Sequence, residues 1–190
     1  AFLFASHRCP DIIVRDNRPE LDAYYQSPSG YFYIHYDLSG IDAPDPFDGN
    51  NNNIPDYVEE VAIAADSSKQ ILIHTMNFIE PNKDSDQIYD IYIKNLSSNL
   101  WGSTQYEIGG GSFIKIRNNY NNMSDYCSDS SQLLWLTIGH EFFHAIQNAY
   151  RPNSSDSYIR EMSSMWFENV FVQDCFDFLA FVDMSSNSLF

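Results

Sequence analysis

Two histidines four positions apart, His140 and His144, define an H-E-x-x-H pattern in which Glu141 directly follows the first histidine. Residues four apart lie on one face of an α-helix, so both imidazoles can reach a single metal ion. Glu141 is about 100° around the helix from His140, which lets its carboxylate reach a metal-bound water without ligating the metal. The alternative is a pair of surface or core histidines that bind no metal. The pattern favours a metal site with Glu141 as general base.

A third ligand is expected, because catalytic zinc sites usually take three protein ligands and keep one position for water. Glu161 lies 17 positions after His144, beyond a loop that contains Pro152. Two helices joined by such a loop can pack antiparallel and bring Glu161 opposite the histidines. Glu168 lies two turns further along the same helical face, about 10 Å away, so the two glutamates cannot both bind one ion. The sequence therefore predicts a zinc site made by His140, His144 and Glu161, with Glu168 in a supporting or structural role.

An Asn-rich acidic loop between Asp48 and Glu59 has the spacing of an EF-hand calcium loop. With Asp48 as position 1, oxygen ligands fall at positions 1, 3, 5, 9 and 12, and a main-chain carbonyl falls at position 7. These ligands are Asp48, Asn50, Asn52, Asp56, Glu59 and the Ile54 carbonyl. Position 6 usually takes Gly, and Asn53 also tolerates the positive φ required there. The loop predicts a structural calcium site, with a solvated Asn-rich turn as the alternative.

Hydrophobic periodicity predicts the elements that hold these residues. Strands are expected at 31–36, 88–96 and 112–117, and helices at 56–78, 131–150 and 157–172. Residues 1–30 are punctuated by prolines and are expected to be irregular. The order, strands first and then helices, favours one α+β domain over residues 1–190 with a mostly antiparallel sheet. The strand at 112–117 is either an edge that pairs with an extended peptide or an ordinary strand of the sheet.

The composition is strongly acidic, with 26 Asp and Glu against 10 Lys and Arg and a net charge of −16. Such a charge repels phosphate backbones and anionic lipid, so nucleic-acid binding and membrane attachment are disfavoured. Three cysteines, Cys9, Cys127 and Cys175, allow one disulfide and one remaining thiol. The acidic, Asn-rich composition and the calcium-type loop favour a secreted protein. The oligomeric state is left open.

The two helical motifs together resemble the gluzincin branch of the zincin metallopeptidases. H-E-x-x-H at 140–144 is followed by E-x-x-x-x-W-x-E at 161–168. The segment Asn52-Asn53-Ile54-Pro55-Asp56-Tyr57 is also similar to an N-G-I-P-D-Y segment upstream of H-E-x-x-H in a group of secreted bacterial proteins assigned as metallopeptidases. The resemblance covers roughly residues 31–168. It implies a zincin-like fold with the same three zinc ligands and the same general base.

The function that follows is that of a secreted zinc metalloendopeptidase acting on a peptide or protein substrate. The alternative from another class is a calcium-stabilised binding or adhesion module whose zinc site is degenerate or structural. Glu141 argues against this alternative, because a structural zinc site has no use for a base at that position. An oxyanion donor is also expected, and Tyr150 and Tyr158 are both open candidates. Cys9 is either a thiolate that blocks the open zinc position and keeps the enzyme latent, or an ordinary thiol or disulfide partner.

Overall fold

The computed structural model of the chain describes residues 12–13, 18–83, 86–97, 100–121, 127, 129–151, 156–173 and 175, with only the backbone described at 12–13. In chain order, the elements are β1 (Ile12–Ile13), β2 (Ala23–Gln26), β3 (Phe32–Tyr36), α1 (Asp56–Lys69), a π-helical segment (Gln70–Thr75), β4 (Tyr89–Lys94), β5 (Gly102–Tyr106), β6 (Ser112–Arg117), α2 (Ser130–Tyr150) and α3 (Ser157–Phe171). The predicted α+β class is confirmed. Among the described residues, no helix is both long and apolar enough to cross a membrane.

The strands form one mixed sheet in the order β1-β5-β6-β4-β3-β2, to which β1 contributes only two residues. β1–β5, β3–β4 and β4–β6 are parallel pairs, whereas β2–β3 and β5–β6 are antiparallel. The prediction of a mostly antiparallel sheet is therefore wrong. The main cause is α1, because a helix between β3 and β4 carries the chain back to the end of the sheet where β3 began, so β4 runs parallel to β3.

The structure corrects one further prediction about strands and decides between the two alternatives for another. The segment 1–30, expected to be irregular, contains β1 and β2. β6 has the predicted span 112–117, yet it lies inside the sheet between β5 and β4 and is not an edge. β5, which the sequence analysis did not predict, forms a hairpin with β6 and covers its outer side. Within the described residues, β1 in turn pairs with β5 at Gln105 and Tyr106.

α1 and α2 pack side by side against the sheet, and α3 packs against α2. Phe32 of β3 and Tyr89 of β4 are register partners on neighbouring strands, so their side chains lie on the same face of the sheet, towards the helices. Phe142 of α2 makes edge-to-face contacts with these two rings, at centroid distances of 5.2 Å to Phe32 and 5.7 Å to Tyr89. Burial of Phe142 fixes the rotation of α2 about its axis. The opposite side of α2, which carries the histidines, is thereby turned towards α3.

Candidate metal site

α2 begins where the Asp129 carboxylate accepts hydrogen bonds from the Gln132 main-chain N at 2.9 Å and from Ser131 Oγ at 2.7 Å. This N-cap satisfies a main-chain donor that the first helical turn leaves without an intrahelical partner. Further along, α2 is enclosed by other elements, and His140, Glu141 and His144 are only 5%, 2% and 1% exposed. Polar side chains at this depth require partners.

The structure brings the three predicted metal ligands together. The Nε2 atoms of His140 and His144 lie 2.9 Å apart. Glu161, on α3, places Oε1 3.2 Å from His144 Nε2 and Oε2 3.4 Å from His140 Nε2. The ligand atoms of the three residues all lie within 4.8 Å of one another. These residues therefore form a possible metal-binding triad of two imidazoles and one carboxylate.

The second nitrogen of each imidazole is held by a neighbouring side chain. His140 Nδ1 lies 2.5 Å from Glu168 Oε1, and His144 Nδ1 lies 2.8 Å from Gln147 Oε1. Gln147 is itself held, since its Nε2 donates to the Arg160 carbonyl at 3.0 Å. Partners of this kind fix the tautomer and ring orientation of metal-ligating histidines. Glu168 thus takes the supporting position left to it by the sequence analysis, whereas the role of Gln147 was missed.

Two electrostatic features favour a cation between these side chains. Glu161 Oε2 is buried and has no hydrogen-bond partner among the described residues, which is costly for a carboxylate oxygen. Burial alone would lower the pKa of His140, but the carboxylates of Glu161 and Glu168 outweigh it and raise this pKa to about 10. Burial would raise the pKa of Glu161, yet the two histidines hold it well below its usual range. The cluster therefore stabilises positive charge, which a divalent metal would supply.

Glu141 extends from α2 towards β5. Its Oε2 lies 2.8 Å from the Thr104 hydroxyl, which is also 2.7 Å from the Glu141 main-chain carbonyl. Gly102, two residues earlier on β5, has no room for a side chain, because a Cβ there would lie 2.9 Å from Glu141 Cγ. Neither Thr104 nor Gly102 was found by sequence reasoning. Their contacts join residues more than 35 positions apart, and no local pattern signals such a contact.

Tyr150 and Tyr158 are the two candidate oxyanion donors, and Cys9 is the candidate thiolate that would block the open zinc position. The Tyr150 hydroxyl accepts a hydrogen bond from the Ile79 main-chain N at 3.1 Å, and its ring packs edge-to-face on Phe78, so this tyrosine serves a structural contact. Tyr158 is 63% exposed and lies one turn before Glu161 on α3. Cys9 lies outside the described residues.

The loop predicted to bind calcium is closed by its own hydrogen bonds. Asp48 accepts from the main-chain N of Asn52 at 3.2 Å and of Asn53 at 2.8 Å. Asn53 has φ of 68°, the positive value expected at position 6 of the loop. The side-chain amides of Asn50 and Asn52 donate to Glu59 at 2.9 and 2.8 Å. Asp48 and Glu59, the two ends of the loop, therefore both accept hydrogen bonds from Asn52.

The remaining predicted calcium ligands belong to the same turn. Asp56 accepts a hydrogen bond from the Gly49 main-chain N at 2.9 Å. The Ile54 main-chain N donates to Asn52 Oδ1 at 2.8 Å. Asp56 and Glu59 lie in the first turn of α1, where carboxylates complement the helix dipole. The six residues of the predicted site thus lie in one hydrogen-bonded turn at the start of α1.

Comparison with known proteins identifies no relative. No protein-family model, no curated protein and no solved structure matches the chain. The functional conclusion therefore rests on the residues and their geometry.

Proposed function

We propose that the chain is a zinc-dependent metallopeptidase with a zincin-like fold, of the gluzincin type that the sequence resembles. The observation that carries the proposal is the triad His140, His144 and Glu161 with both histidine Nδ1 atoms held by other side chains. Two imidazoles and one carboxylate are a ligand set used by catalytic zinc sites, which keep a fourth position for water. Orientation of the rings by neighbouring side chains is typical of such sites.

The separations of the ligand atoms are compatible with a tetrahedral zinc ion. A tetrahedral ion with metal–ligand distances near 2.1 Å needs ligand atoms about 3.4 Å apart. The measured separations run from 2.9 Å between the two Nε2 atoms to 3.4 Å between His140 Nε2 and Glu161 Oε2. The three side chains therefore need only small shifts to accept the ion.

The mechanism assigns distinct work to the protein groups. Bound zinc would supply a Lewis acid that polarises the scissile carbonyl and lowers the pKa of water. Glu141 would take a proton from the attacking water and pass it to the leaving amine, as a general base and then a general acid. His140, His144 and Glu161 would hold the ion, while Glu168 and Gln147 keep the imidazoles in the correct tautomer.

A peptide or protein is the proposed substrate, because the gluzincin-type enzymes that the sequence resembles hydrolyse peptide bonds. β6, the strand at 112–117, lies between β5 and β4, so it is not available as an edge for an extended peptide.

Secretion remains part of the proposal. Cys127 and Cys175 form a disulfide, and disulfides persist mainly in oxidising compartments. The net charge of −16 continues to disfavour nucleic acid and anionic membranes as partners.

The alternative function is a binding or adhesion module with a structural zinc site. One observation favours it: the cluster is deeply buried, and of the three ligands only the Glu161 side chain, at 26% exposed, opens to solvent. A structural site should hold zinc without hydrolysing any substrate, whether position 141 carries Glu or Gln.

One experiment separates the two functions and tests the proposal. Metal content and hydrolysis of an unfolded protein substrate are measured for the parent chain, Glu141→Gln and His144→Ala, with and without a chelator. We expect the parent to hold one zinc and to hydrolyse the substrate. Glu141→Gln should keep zinc but lose roughly 10²- to 10⁴-fold in rate, because the amide cannot accept a proton. His144→Ala should lose both. Zinc binding without hydrolysis in the parent would favour the structural alternative.

We also propose a structural calcium ion in the loop from Asp48 to Glu59. The supporting observation is that Asp48, Asn50, Asn52 and Glu59 lie together in one turn. The amide nitrogens of Asn50 and Asn52 face Glu59, so both side chains would rotate to turn their oxygens towards a calcium ion. With three carboxylates in the ligand set, the expected dissociation constant is about 10⁻⁴–10⁻³ M.

Thermal unfolding with and without about 5 mM calcium tests this proposal on metal-stripped protein with zinc restored. Calcium should stabilise the chain by about 1–2 kcal/mol, or about 2–8 °C. Asp48→Ala and Glu59→Gln should abolish the increment. A melting curve that does not respond to calcium would leave only the hydrogen-bonded turn.

A further inference from the structure

The carboxylate of Glu141 is held by β5 as well as by its own helix. Its side chain is 2% exposed, and the Thr104 hydroxyl lies within hydrogen-bond distance of both Glu141 Oε2 and the Glu141 carbonyl, at 2.8 and 2.7 Å. A buried carboxylate that accepts a hydrogen bond from a hydroxyl is restricted in rotation, because turning away would give up that hydrogen bond. Thr104 is β-branched and has few χ1 rotamers, so the donor is itself well placed.

The close approach of β5 to α2 makes this contact possible. Gly102 and Thr104 are two positions apart on β5, so they face the same side, towards α2. A Cβ at position 102 would lie 2.7 Å from Thr137 Cγ2, 2.9 Å from Glu141 Cγ and 3.2 Å from Glu141 Oε1. The first two distances are shorter than atoms in contact permit, and the third is unusually close. The Glu141 side chain therefore lies over the space that the missing side chain of Gly102 leaves.

We infer that Thr104 is a positioning residue for Glu141, and that Gly102 provides the space in which Thr104 holds the Glu141 carboxylate. The inference rests on the proposed function, in which Glu141 is the base. A general base works only when its oxygen is within hydrogen-bond reach of the proton that it takes. Loss of the Thr104 hydroxyl would remove this restraint on the orientation of the carboxylate. Misplacement of a catalytic group by about 1 Å can cost about 10²-fold in rate.

A contrasting role for Thr104 is purely structural. The hydroxyl would then donate only to the Glu141 carbonyl and join β5 to α2 without affecting the carboxylate. Substitution would in that case lower stability while leaving the rate of the folded enzyme unchanged. The two roles therefore differ in whether the kcat of the folded enzyme changes.

The experiment uses the full chain loaded with zinc and compares Thr104→Val, Thr104→Ser and the control Thr137→Val. Thr137 is also buried beside Gly102, but its hydroxyl donates to the Leu133 carbonyl at 2.8 Å, within its own helix. We measure kcat and KM on one peptide, zinc content, and the unfolding temperature. Thr104→Val should lower kcat by about 10- to 100-fold with KM within about twofold and zinc content unchanged. Thr104→Ser, which retains the hydroxyl, should stay within about threefold of the parent, as should Thr137→Val.

A second comparison tests whether Thr104 acts through Glu141. In the Glu141→Gln background, Thr104→Val should lower the residual rate by less than about twofold, because the base is already lost. A folded, zinc-loaded Thr104→Val with the kcat of the parent would overturn this inference but would leave the proposed function standing. A Thr104→Val effect that is equally large without Glu141 would overturn it as well. A parent chain that binds zinc but hydrolyses no substrate would instead overturn the proposed function on which the inference depends.

Discussion

At the scale of single residues, the site depends on the nitrogens that do not face the metal position. Each histidine uses Nδ1 for a hydrogen bond, His140 to Glu168 and His144 to Gln147. Nε2 of each ring is thereby directed towards Glu161. The two partners differ in charge, since Glu168 is a buried carboxylate and Gln147 is a neutral amide. A carboxylate partner increases the basicity of its histidine more than an amide does, so His140 should be the stronger ligand.

Substitution of Glu168 should therefore weaken metal binding without removing a ligand. Glu168→Gln keeps an acceptor for His140 Nδ1 but loses the charge, and we expect zinc affinity to fall by about tenfold. Glu168→Ala removes the acceptor as well, and we expect a fall of about 100-fold. Competition with a chromogenic chelator measures both. Glu20→Gln, at an exposed position, is the matched control and should bind as the parent does. Zinc binding of parental strength in Glu168→Ala would exclude the orienting role.

Local spacing is sufficient to predict some of these residues and insufficient for others. His140, Glu141 and His144 lie within one turn and a half of helix, and the helical repeat alone determines which side they share. Gln147 could have been found in the same way, because it lies three positions after His144 and is therefore its neighbour on the helix surface. Thr104 could not be found, since its contact with Glu141 depends on the pairing and position of a strand 37 residues away.

At the scale of elements, the metal triad depends on how closely α3 packs against α2. The histidines lie on α2, whereas Glu161 and Glu168 both lie on α3. Contact between the helices is made by Gly139 of α2, where an added Cβ would lie 2.6 Å from Phe171 Cδ1 and 3.1 Å from Phe167 Cε1. The two phenylalanine rings stack on one another with centroids 5.4 Å apart. A glycine one position before the first ligand thus sets the distance between the helices.

Gly139→Ala should consequently destabilise the chain and weaken zinc binding together. Ala in a helix interior is normally more favourable than Gly by up to about 1 kcal/mol, so a loss of stability would report the clash with Phe171. The displaced α3 carries Glu161 and Glu168 away from the histidines, and zinc affinity should fall by at least about tenfold. Unfolding by denaturant and chelator competition measure the two effects.

Phe171→Ala provides the control for this packing. In that background the space beside Gly139 is open, so Gly139→Ala should no longer destabilise the chain, and the two substitutions should be strongly non-additive. Additive losses would show that Gly139 is required for a reason other than its contact with Phe171.

The sheet shows where prediction of elements from sequence reaches its limit. β3, β4 and β6 are rich in aromatic and β-branched residues, and their predicted spans agree with the structure to within two residues at each end. β5 has the sequence GSTQY, in which small polar residues dominate, and it is a strand because β6 pairs with it after a Gly109-Gly110 turn. Strand direction also depends on the path of the chain between strands, which hydrophobic alternation does not encode. For this reason the sequence left open whether the strand at 112–117 is an edge or an inner strand of the sheet.

At the scale of the whole molecule, one covalent link encloses the entire metal site. The disulfide joins Cys127, just before α2, to Cys175, just after α3, and closes a loop of 48 positions. All three predicted zinc ligands, together with Glu141 and Glu168, lie inside this loop. The disulfide and the packing at Gly139 therefore restrain the same pair of helices in different ways. The packing acts in the folded state, whereas a disulfide acts mainly by restricting the unfolded chain.

Removal of this disulfide should lower the stability of the zinc-loaded chain by about 3–4 kcal/mol. The cross-link restricts the unfolded chain, so without it the unfolded state regains conformational entropy and becomes more favourable. The double substitution Cys127→Ser and Cys175→Ser is compared with the parent by denaturant unfolding, with and without a reducing agent. Cys9 is left in place in both proteins, so any contribution of its thiol is common to the two. The reducing agent should destabilise the parent to the level of the double variant and leave the variant unchanged. If thiol titration confirmed full reduction while the unfolding midpoint of the parent stayed the same, the disulfide would not contribute to the stability of the chain.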